Sequence, residues 1–292
     1  MHLDAFRQLG VEIKEENGFI NCESAKLSGT EIVLDFPSVG ATENIMLASS
    51  LANGTTYIRN VAREPEIRSL QDFLNSMGAQ ISGAGSNTIV IKGVKSLHDT
   101  SYKVIPDRIE AGTYLCMVAG CKGEIKLNNV NPEHINSVIH KLKQANCKVG
   151  ISKDTVYLKM DKELSPTDIK TMPYPGFPTD MQSQFVTLLT TARGTSIVVE
   201  NIFENRFKYV NELIRMGAKI TLEGKTAIIQ GVGKLKSANV EAKDLRGGAA
   251  LVSAALMADG ISTVSGIMYI KRGYENLVEK LTILGAKIRE EW

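Results

Sequence analysis

The stretch Leu9-Gly10-Val11-Glu12-Ile13 places a glycine between an apolar residue and an alternating segment. The same phrase returns along the chain as Met77-Gly78-Ala79-Gln80-Ile81, Ala145-Asn146-Cys147-Lys148-Val149, Met216-Gly217-Ala218-Lys219-Ile220 and Leu284-Gly285-Ala286-Lys287-Ile288. The Gly or Asn stands at 10, 78, 146, 217 and 285, so the spacings are 68, 68, 71 and 68 residues. Gly and Asn accept the left-handed backbone that ends many helices. Each phrase therefore predicts a helix that ends at this residue and a strand directly after it.

A second segment recurs with nearly the same spacing as the first and predicts another strand in each repeat. It begins at Gly54, Gly123, Gly194 and Gly260, each followed by β-branched or alternating residues. Further strands are predicted as the return arms of hairpins at Thr88–Ile91, Thr155–Leu158 and Ala227–Ile229. The unit thus has the order βαβαββ and about 68 residues, which is the size of a small layered module that packs against its copies. We therefore predict an α/β fold of repeated α+β units.

The first and last repeats of the printed sequence are incomplete. The first has only the end of a helix, from Leu3 to Leu9, before its hairpin, and the last stops at Trp292 without its hairpin strand. Repeats need neighbours to bury their faces, and six units of this length would need about 408 residues. With 292 residues present, we expect a longer protein with the missing part upstream. The alternative is a protein with four and a half units.

Composition and charge narrow the class of protein. Hydrophobic residues make up 43% of the 292 residues and charged residues 23%, so a large core can form and bulk disorder is excluded. A net charge of +2 is too balanced to indicate a nucleic-acid or membrane partner. No apolar run reaches the roughly 18 residues of a membrane helix, and Met1-His2-Leu3-Asp4 is no secretory signal. We expect a cytoplasmic protein.

Histidine and cysteine spacing predicts no metal site. No pair of cysteines has the C-x-x-C spacing, and His134 and His140 lie six residues apart rather than four. Cys116 and Cys121 lie in an apolar stretch and are expected to pack in the core.

The loops that precede the predicted helices carry the candidate binding residues. Helix N-termini present free N–H groups and attract anions such as phosphate or carboxylate. Ser38-Val39-Gly40 suits a phosphate, because Ser38 offers a hydroxyl and Gly40 lets an oxygen approach the backbone. The alternative is that Ser38 is an ordinary helix N-cap.

Two arginines and one aspartate at such loops are further candidates. We place Arg206 and Arg272 at helix starts, where a cation opposes the helix dipole and an anionic ligand explains it. The alternative is a salt bridge, for example to Glu204 or Glu275. Asp180 follows Pro178-Thr179, where an N-cap role is the ordinary interpretation.

These loops carry a resemblance to a known family. The matching segments are Asp35–Thr42, Ala62–Ile67, Pro106–Glu110, Phe177–Phe185, Phe203–Phe207, Asp244–Arg246 and Arg272–Glu275. Over its whole length the sequence resembles the UDP-N-acetylglucosamine enolpyruvyl transferases (1-carboxyvinyltransferases). The shikimate-pathway sister family is expected to share the fold but not this set of segments.

The resemblance implies a fold and a reaction. The fold is a two-lobe inside-out barrel of βαβαββ units, with residues 1–104 as an incomplete first lobe and residues 105–292 as the second. The reaction moves the enolpyruvyl group of phosphoenolpyruvate to the 3-hydroxyl of UDP-N-acetylglucosamine and releases phosphate. This is the first committed step of peptidoglycan synthesis, in the bacterial cytoplasm. We expect no cofactor and no metal.

The resemblance also implies residue roles. Asp180 matches the proposed general base beside the sugar hydroxyl, and Arg206 and Arg272 match arginines that bind phosphoenolpyruvate or stabilise negative charge. The remaining matches bind substrate: Ser38, Val39 and Gly40 at the diphosphate, Ile202 through its backbone to the UDP-sugar, and Asp244 and Arg246 near the phosphoenolpyruvate pocket.

Three segments of the family are absent from the printed sequence. They are a Lys-Asn pair that contacts phosphoenolpyruvate, a mobile Gly-Gly-Cys loop and an Arg-Pro-Ile-Asp stretch that holds uridine. Roughly 120 residues of the family precede the match, as the repeat arithmetic also indicates. We therefore expect the isolated chain to be inactive. The alternatives are a non-catalytic UDP-sugar-binding relative, or the C-terminal part of a split enzyme that a separate N-terminal polypeptide completes.

Overall fold

A computed structural model describes residues 1–291 of the chain. The helices within this range, α1 to α10 in chain order, are His2–Gln8, Val39–Ser49, Pro65–Ser76, Arg108–Gly120, Asn136–Gln144, Gln182–Leu189, Val210–Arg215, Leu245–Met257, Ile267–Lys271 and Leu277–Ile283. Short 3-10 turns at Pro132–Ile135 and Thr179–Met181 lead into α5 and α6. None of the helices within residues 1–291 has the length and apolar character that crossing a membrane requires.

The strands run between these helices in the order that the repeats predict. Strands β1 to β17, in chain order, are Glu12–Glu16, Phe19–Glu23, Glu31–Val33, Thr55–Arg59, Gln80–Ser82, Thr88–Lys92, Glu124–Asn128, Lys148–Ser152, Thr155–Lys159, Ile169–Lys170, Thr195–Val199, Lys219–Glu223, Thr226–Gln230, Leu235–Lys236, Asn239–Glu241, Ala258–Asp259 and Thr263–Ser265. The predicted return arms of the hairpins are confirmed as β6, β9 and β13.

The chain divides into two compact units. The first comprises residues 1–105 with Pro173–Pro175, and the second comprises residues 106–172 with the chain from Gly176 onward. Unit 1 contains one complete βαβαββ repeat, in which β3 is parallel to β4 while β6 is antiparallel to both β4 and β5. Its strand order is β3-β4-β6-β5, and a separate two-stranded sheet joins β1 to β2. Its core includes Ile45, Ile58, Ile67 and Ile89.

Unit 2 is built around three central helices that contact one another, α4, α6 and α8. All eight residues of α6 are buried, as expected for a helix enclosed by other elements. The sheet β10-β11-β13-β12 repeats the strand order of unit 1, and β7-β9-β8 repeats its last three strands. Predicted site residues precede two of the central helices: Asp180 lies in the 3-10 turn before α6, and Asp244 lies directly before α8.

The Gly and Asn residues of the repeated phrase end helices as predicted. They have left-handed backbone angles, with φ of +94° at Gly10, +97° at Gly78, +76° at Asn146, +88° at Gly217 and +93° at Gly285. A strand begins directly after the first four of them. The strand predicted after the fifth is wrong within the described chain, since residues 286–291 form no strand.

Candidate active site

Asp180 lies in the 3-10 turn that leads into α6, and two arginines hold its carboxylate. Arg206 donates from Nη2 to Oδ1, and Arg246 donates from Nη2 to Oδ2 at 3.3 Å. The Arg206 and Arg246 side chains are 11% and 14% exposed, whereas the Asp180 side chain is 41% exposed. The ion-pair centre is therefore closed on the arginine side and open to solvent at the carboxylate.

The two guanidinium groups set the charge state of Asp180. Burial raises the pKa of its carboxyl, while the positive charges of Arg246 and Arg206 and their hydrogen bonds lower it. The lowering effects together are larger, so the pKa lies below its ordinary value. The Asp180 charge in turn outweighs the effect of burial on Arg246 and raises the pKa of that guanidinium. Asp180 and Arg246 are therefore both ionised near neutral pH.

Arg206 precedes α7 in a loop that starts at the end of β11. Its Cζ lies 4.9 Å from the centre of the Phe203 ring, and Nη2 also donates to the Thr179 carbonyl oxygen at 3.4 Å. Its Nε is buried and has no hydrogen-bond partner among residues 1–291. A buried guanidinium with a free donor is suited to an anionic ligand.

Arg246, in the first turn of α8, is held by Tyr274. Its Nη1 donates to the Tyr274 oxygen at 3.3 Å, and its Cζ lies 5.7 Å from the centre of the Tyr274 ring. Gln184 Nε2 also donates to the Tyr274 oxygen at 3.2 Å. Thr113 donates its own proton to the Ile109 carbonyl oxygen, so the Tyr274 proton must go to Thr113 Oγ1, 2.9 Å away. Tyr274 thus links Arg246 to α4 and α6.

Two of the sequence interpretations of this centre are wrong. Asp180 is no helix cap, because neither the 3-10 turn nor α6 has a side-chain cap hydrogen bond, and its carboxylate faces the arginines instead. Arg206 pairs with Asp180, 26 residues away, rather than with the neighbouring Glu204.

Arg272 also differs from the prediction. It is the C-terminal cap residue of α9 rather than a residue at a helix start, so a positive charge is favourable there and the dipole argument for an anion no longer applies. The side chain is exposed, and none of the contacts of residues 1–291 joins it to Asp180, Arg206 or Arg246.

The other candidate residues lie in ordinary helix and loop positions. Ser38 is the N-cap of α2 and its Oγ accepts from the Ala41 amide at 3.3 Å, while Val39 and Gly40 form the first turn of that helix. Asp244 is the N-cap of α8 and accepts from the Gly247 amide at 2.7 Å. The Ile202 amide donates to Glu200 Oε1 at 2.8 Å. Ser38–Gly40 belongs to unit 1 and the other residues to unit 2.

The described chain offers no obvious metal-binding group. No set of three or more His, Cys, Asp or Glu residues within residues 1–291 is placed to hold a metal ion. Cys116 is buried as expected, but Cys121 is exposed at the end of α4, so its prediction as a core residue is wrong.

Comparison of the whole chain with known proteins gives its family. The family profile described as EPSP synthase (3-phosphoshikimate 1-carboxyvinyltransferase) matches residues 1–281. The chain belongs to this family of carboxyvinyl transferases. It is 55% identical over 289 residues to UDP-N-acetylglucosamine 1-carboxyvinyltransferase 2 of Caldanaerobacter subterraneus subsp. tengcongensis, and 53% identical over 289 residues to UDP-N-acetylglucosamine 1-carboxyvinyltransferase 1 of Carboxydothermus hydrogenoformans. Each match covers 99% of this chain but 69% of the relative.

Solved structures confirm the predicted enolpyruvyl transferase fold. The enolpyruvyl transferase NikO of Streptomyces tendae matches 98% of this chain and 71% of its own with a TM-score of 0.87 and 26% identity. EPSP synthase of Acinetobacter baumannii matches 96% of this chain and 69% of its own with a TM-score of 0.71 at 20% identity, a likeness of fold alone.

Sequence reasoning missed two residues that support this centre. Tyr274 lies in one of the segments that carry the resemblance, yet nothing local to it indicates its contact with Arg246. Glu200 directly follows β11 and is buried, and it binds both loops of the centre. An acidic residue directly after the alternating strand β11 is the sequence signal that could have indicated Glu200.

Proposed function

We propose that this chain carries part of the active site for transfer of the enolpyruvyl group from phosphoenolpyruvate to the 3-hydroxyl of UDP-N-acetylglucosamine, with release of phosphate. The observation that carries the proposal is the contact of one carboxylate, Asp180, with both Arg206 and Arg246. Such a centre offers a proton acceptor directly beside two cations, as a reaction between a hydroxyl and an enol phosphate that also carries a carboxylate requires.

The same contacts explain how Asp180 becomes a base only with substrate present. Without ligand, the two arginines lower the pKa of the carboxyl, which makes it a weak proton acceptor. The phosphate and carboxylate of phosphoenolpyruvate would bring negative charge to the guanidinium groups and draw their donors away. The pKa of Asp180 would then rise, and we propose that the carboxylate accepts the sugar hydroxyl proton in that state.

The remaining roles are proposed by the resemblance and are compatible with the positions described above. Arg206, with its free Nε, and Arg246 would bind the anionic groups of phosphoenolpyruvate, and exposed Arg272 would bind the same substrate. The backbone at Ile202 would meet the UDP-sugar. The other substrate-binding residues proposed are Ser38, Val39 and Gly40 for the diphosphate, and Asp244 near the phosphoenolpyruvate pocket.

We further propose that the 292-residue chain does not complete the reaction alone. The relatives extend beyond the match, which covers 69% of their length. We propose that residues 1–104, most of unit 1, are part of a first lobe, and that residues 105–292 are the second lobe. Residues outside the printed sequence, roughly 120 of them by the repeat arithmetic, would then supply the Lys-Asn pair, the Gly-Gly-Cys loop and the uridine contacts. Location in a bacterial cytoplasm remains a prediction.

The experiment is a complementation assay. Phosphate release from phosphoenolpyruvate is measured with and without UDP-N-acetylglucosamine, using the chain alone and the chain mixed with the unmatched N-terminal part of the Caldanaerobacter relative. We expect no release from the chain alone and UDP-N-acetylglucosamine-dependent release from the mixture. Asp180→Asn should abolish that release, whereas Asp161→Asn, a change at an exposed pair with Lys148, should not.

Three outcomes would change the proposal. Release by the chain alone contradicts its inactivity. Release that persists in Asp180→Asn contradicts the assigned base. A mixture that binds UDP-N-acetylglucosamine in a calorimeter but releases no phosphate contradicts the transferase proposal and favours a non-catalytic sugar-nucleotide-binding protein.

A further inference from the structure

Glu200 is a buried carboxylate that four donors surround. Glu200 is the residue directly after β11 and is 3% exposed. Oε1 accepts from the Thr171 hydroxyl at 2.7 Å and from the amides of Ile202 and Phe203 at 2.8 and 3.0 Å. Oε2 accepts from the Thr179 hydroxyl at 2.9 Å. Both side-chain oxygens of Glu200 thus accept hydrogen bonds.

This carboxylate has no cationic partner. No ion pair within residues 1–291 involves Glu200, so neutral hydroxyl and amide donors alone compensate for its burial. A buried charge of this kind is a weak source of stability compared with a well-packed apolar residue. Glu200 instead orients its surroundings, because a group that only accepts hydrogen bonds fixes the directions of four donors at once.

Three of the four donors come from the two segments that carry the Asp180 centre, and the fourth, Thr171, lies outside them. Thr179 precedes Asp180 in the 3-10 turn, and its carbonyl oxygen accepts from Arg206 Nη2 at 3.4 Å. Ile202 and Phe203 begin the loop that reaches Arg206, and the Phe203 ring lies 4.9 Å from the Arg206 guanidinium carbon. Glu200 therefore fixes the backbone of the base and the loop of its arginine partner relative to each other.

We propose that Glu200 is a positioning residue for the active site. The hydrogen bond from the Thr179 hydroxyl to Glu200 fixes the 3-10 turn and thereby the position of Asp180. Glu200 itself touches neither Asp180 nor Arg206, so it acts through the two segments. The importance of Glu200 for turnover rests on the proposed function. Its effect on the position of Asp180 does not, because that effect depends only on hydrogen bonds within this chain.

Thr171 and Thr179 provide a matched pair of test positions. Both donate a hydroxyl proton to Glu200, but only Thr179 is adjacent to Asp180. The Thr171 hydroxyl also accepts from the Asn201 amide at 2.8 Å, so Thr171→Val leaves that half-buried amide without its acceptor. Thr171→Val should therefore lower the melting temperature more, while Thr179→Val should disturb the Asp180 centre more.

The readout is the titration of the Asp180 carboxyl carbon by NMR in the 292-residue chain, with melting temperature measured in parallel. Arg206 and Arg246 are the charged groups that contact this carboxylate. Thr179→Val should move the Asp180 titration upward towards its ordinary value, and Thr171→Val should leave it in place. Thr179→Ser restores the hydroxyl and should return the titration to that of the wild type.

Equal shifts in both valine variants, or no shift in Thr179→Val, would overturn the proposal. A shift in Thr179→Ser as large as in Thr179→Val would do the same, because packing of the methyl group would then be responsible. The titration needs no substrate. Failure of the complementation assay with a normal titration pattern would therefore count against the transferase proposal and leave the positioning role intact.

Discussion

Asp180→Asn tests whether the aspartate occupies an anion site formed by its two arginine partners. The substitution keeps the shape of the side chain but removes the negative charge between Arg206 and Arg246. Two guanidinium groups, 11% and 14% exposed, then share no anion within the described chain. Stability should fall, and the site should become a better binding site for an external anion.

The expected loss of unfolding free energy lies between the values for an exposed and a buried ion pair. Exposed pairs contribute up to about 1 kcal/mol and breaking a buried pair costs about 3–5 kcal/mol. Because the Asp180 side chain is 41% exposed, we expect a loss of about 2 kcal/mol for the two contacts together. For a unit of this size that is a fall in melting temperature of roughly 4–8 °C. Phosphate at about ten times its Kd would restore about 1.4 kcal/mol.

The assay is thermal unfolding followed by circular dichroism, in phosphate and in chloride at matched ionic strength. Phosphate should raise the melting temperature of Asp180→Asn more than that of the wild type, in which the anion must first displace Asp180. Asp161→Asn serves as the control, since it removes a carboxylate from an exposed pair. An equal gain from phosphate in Asp180→Asn and wild type would refute the idea that Asp180 and an external anion compete for the same arginines.

Three further predictions follow from the same structure. Tyr274→Phe removes the hydroxyl at the centre of its buried network and should cost about 1–3 kcal/mol in urea unfolding, whereas Tyr269→Phe at an exposed site should change little. Gly231→Ala would place a methyl group 1.6 Å from a backbone carbonyl oxygen and should cost more than about 3 kcal/mol or prevent folding, while Gly150→Ala, with its nearest atom at 3.9 Å, should stay close to wild type. Folding lowers the pKa of Asp180 from its ordinary value of 3.8. The difference in unfolding free energy between wild type and Asp180→Asn should therefore be constant well above pH 3.8 and shrink as the pH falls below it. A difference that grows on acidification would contradict the pairing.

Local rules predicted most of the fold. The left-handed backbone at Gly10, Gly78, Asn146, Gly217 and Gly285 is a property of one residue and its helix, so the repeat could be read without knowing its neighbours. The hairpin strands followed from alternation along a few residues. The prediction failed after Gly285, because a strand needs a partner strand and no local pattern provides one.

The site was harder to predict because its contacts are distant in sequence. Asp180 and Arg206 were both candidates, yet their pairing joins residues 26 positions apart, and Arg246 is 66 positions from Asp180. Helix and loop geometry brings them together only in the folded repeat. Arg272 was placed at a helix start because the break between α9 and α10, with Asn276 in a left-handed conformation, was not expected.

The identity of the acceptor is the central claim, and one competition experiment tests it most directly. The chain, completed in trans by the N-terminal part of a relative, is given phosphoenolpyruvate together with equal amounts of UDP-N-acetylglucosamine and 3-phosphoshikimate, and the vinyl protons of the products are assigned by NMR. We predict a product in which the enolpyruvyl group is on the 3-oxygen of UDP-N-acetylglucosamine, and its loss in Asp180→Asn. A product on 3-phosphoshikimate, or equal product formation with Asp180→Asn, would contradict the account.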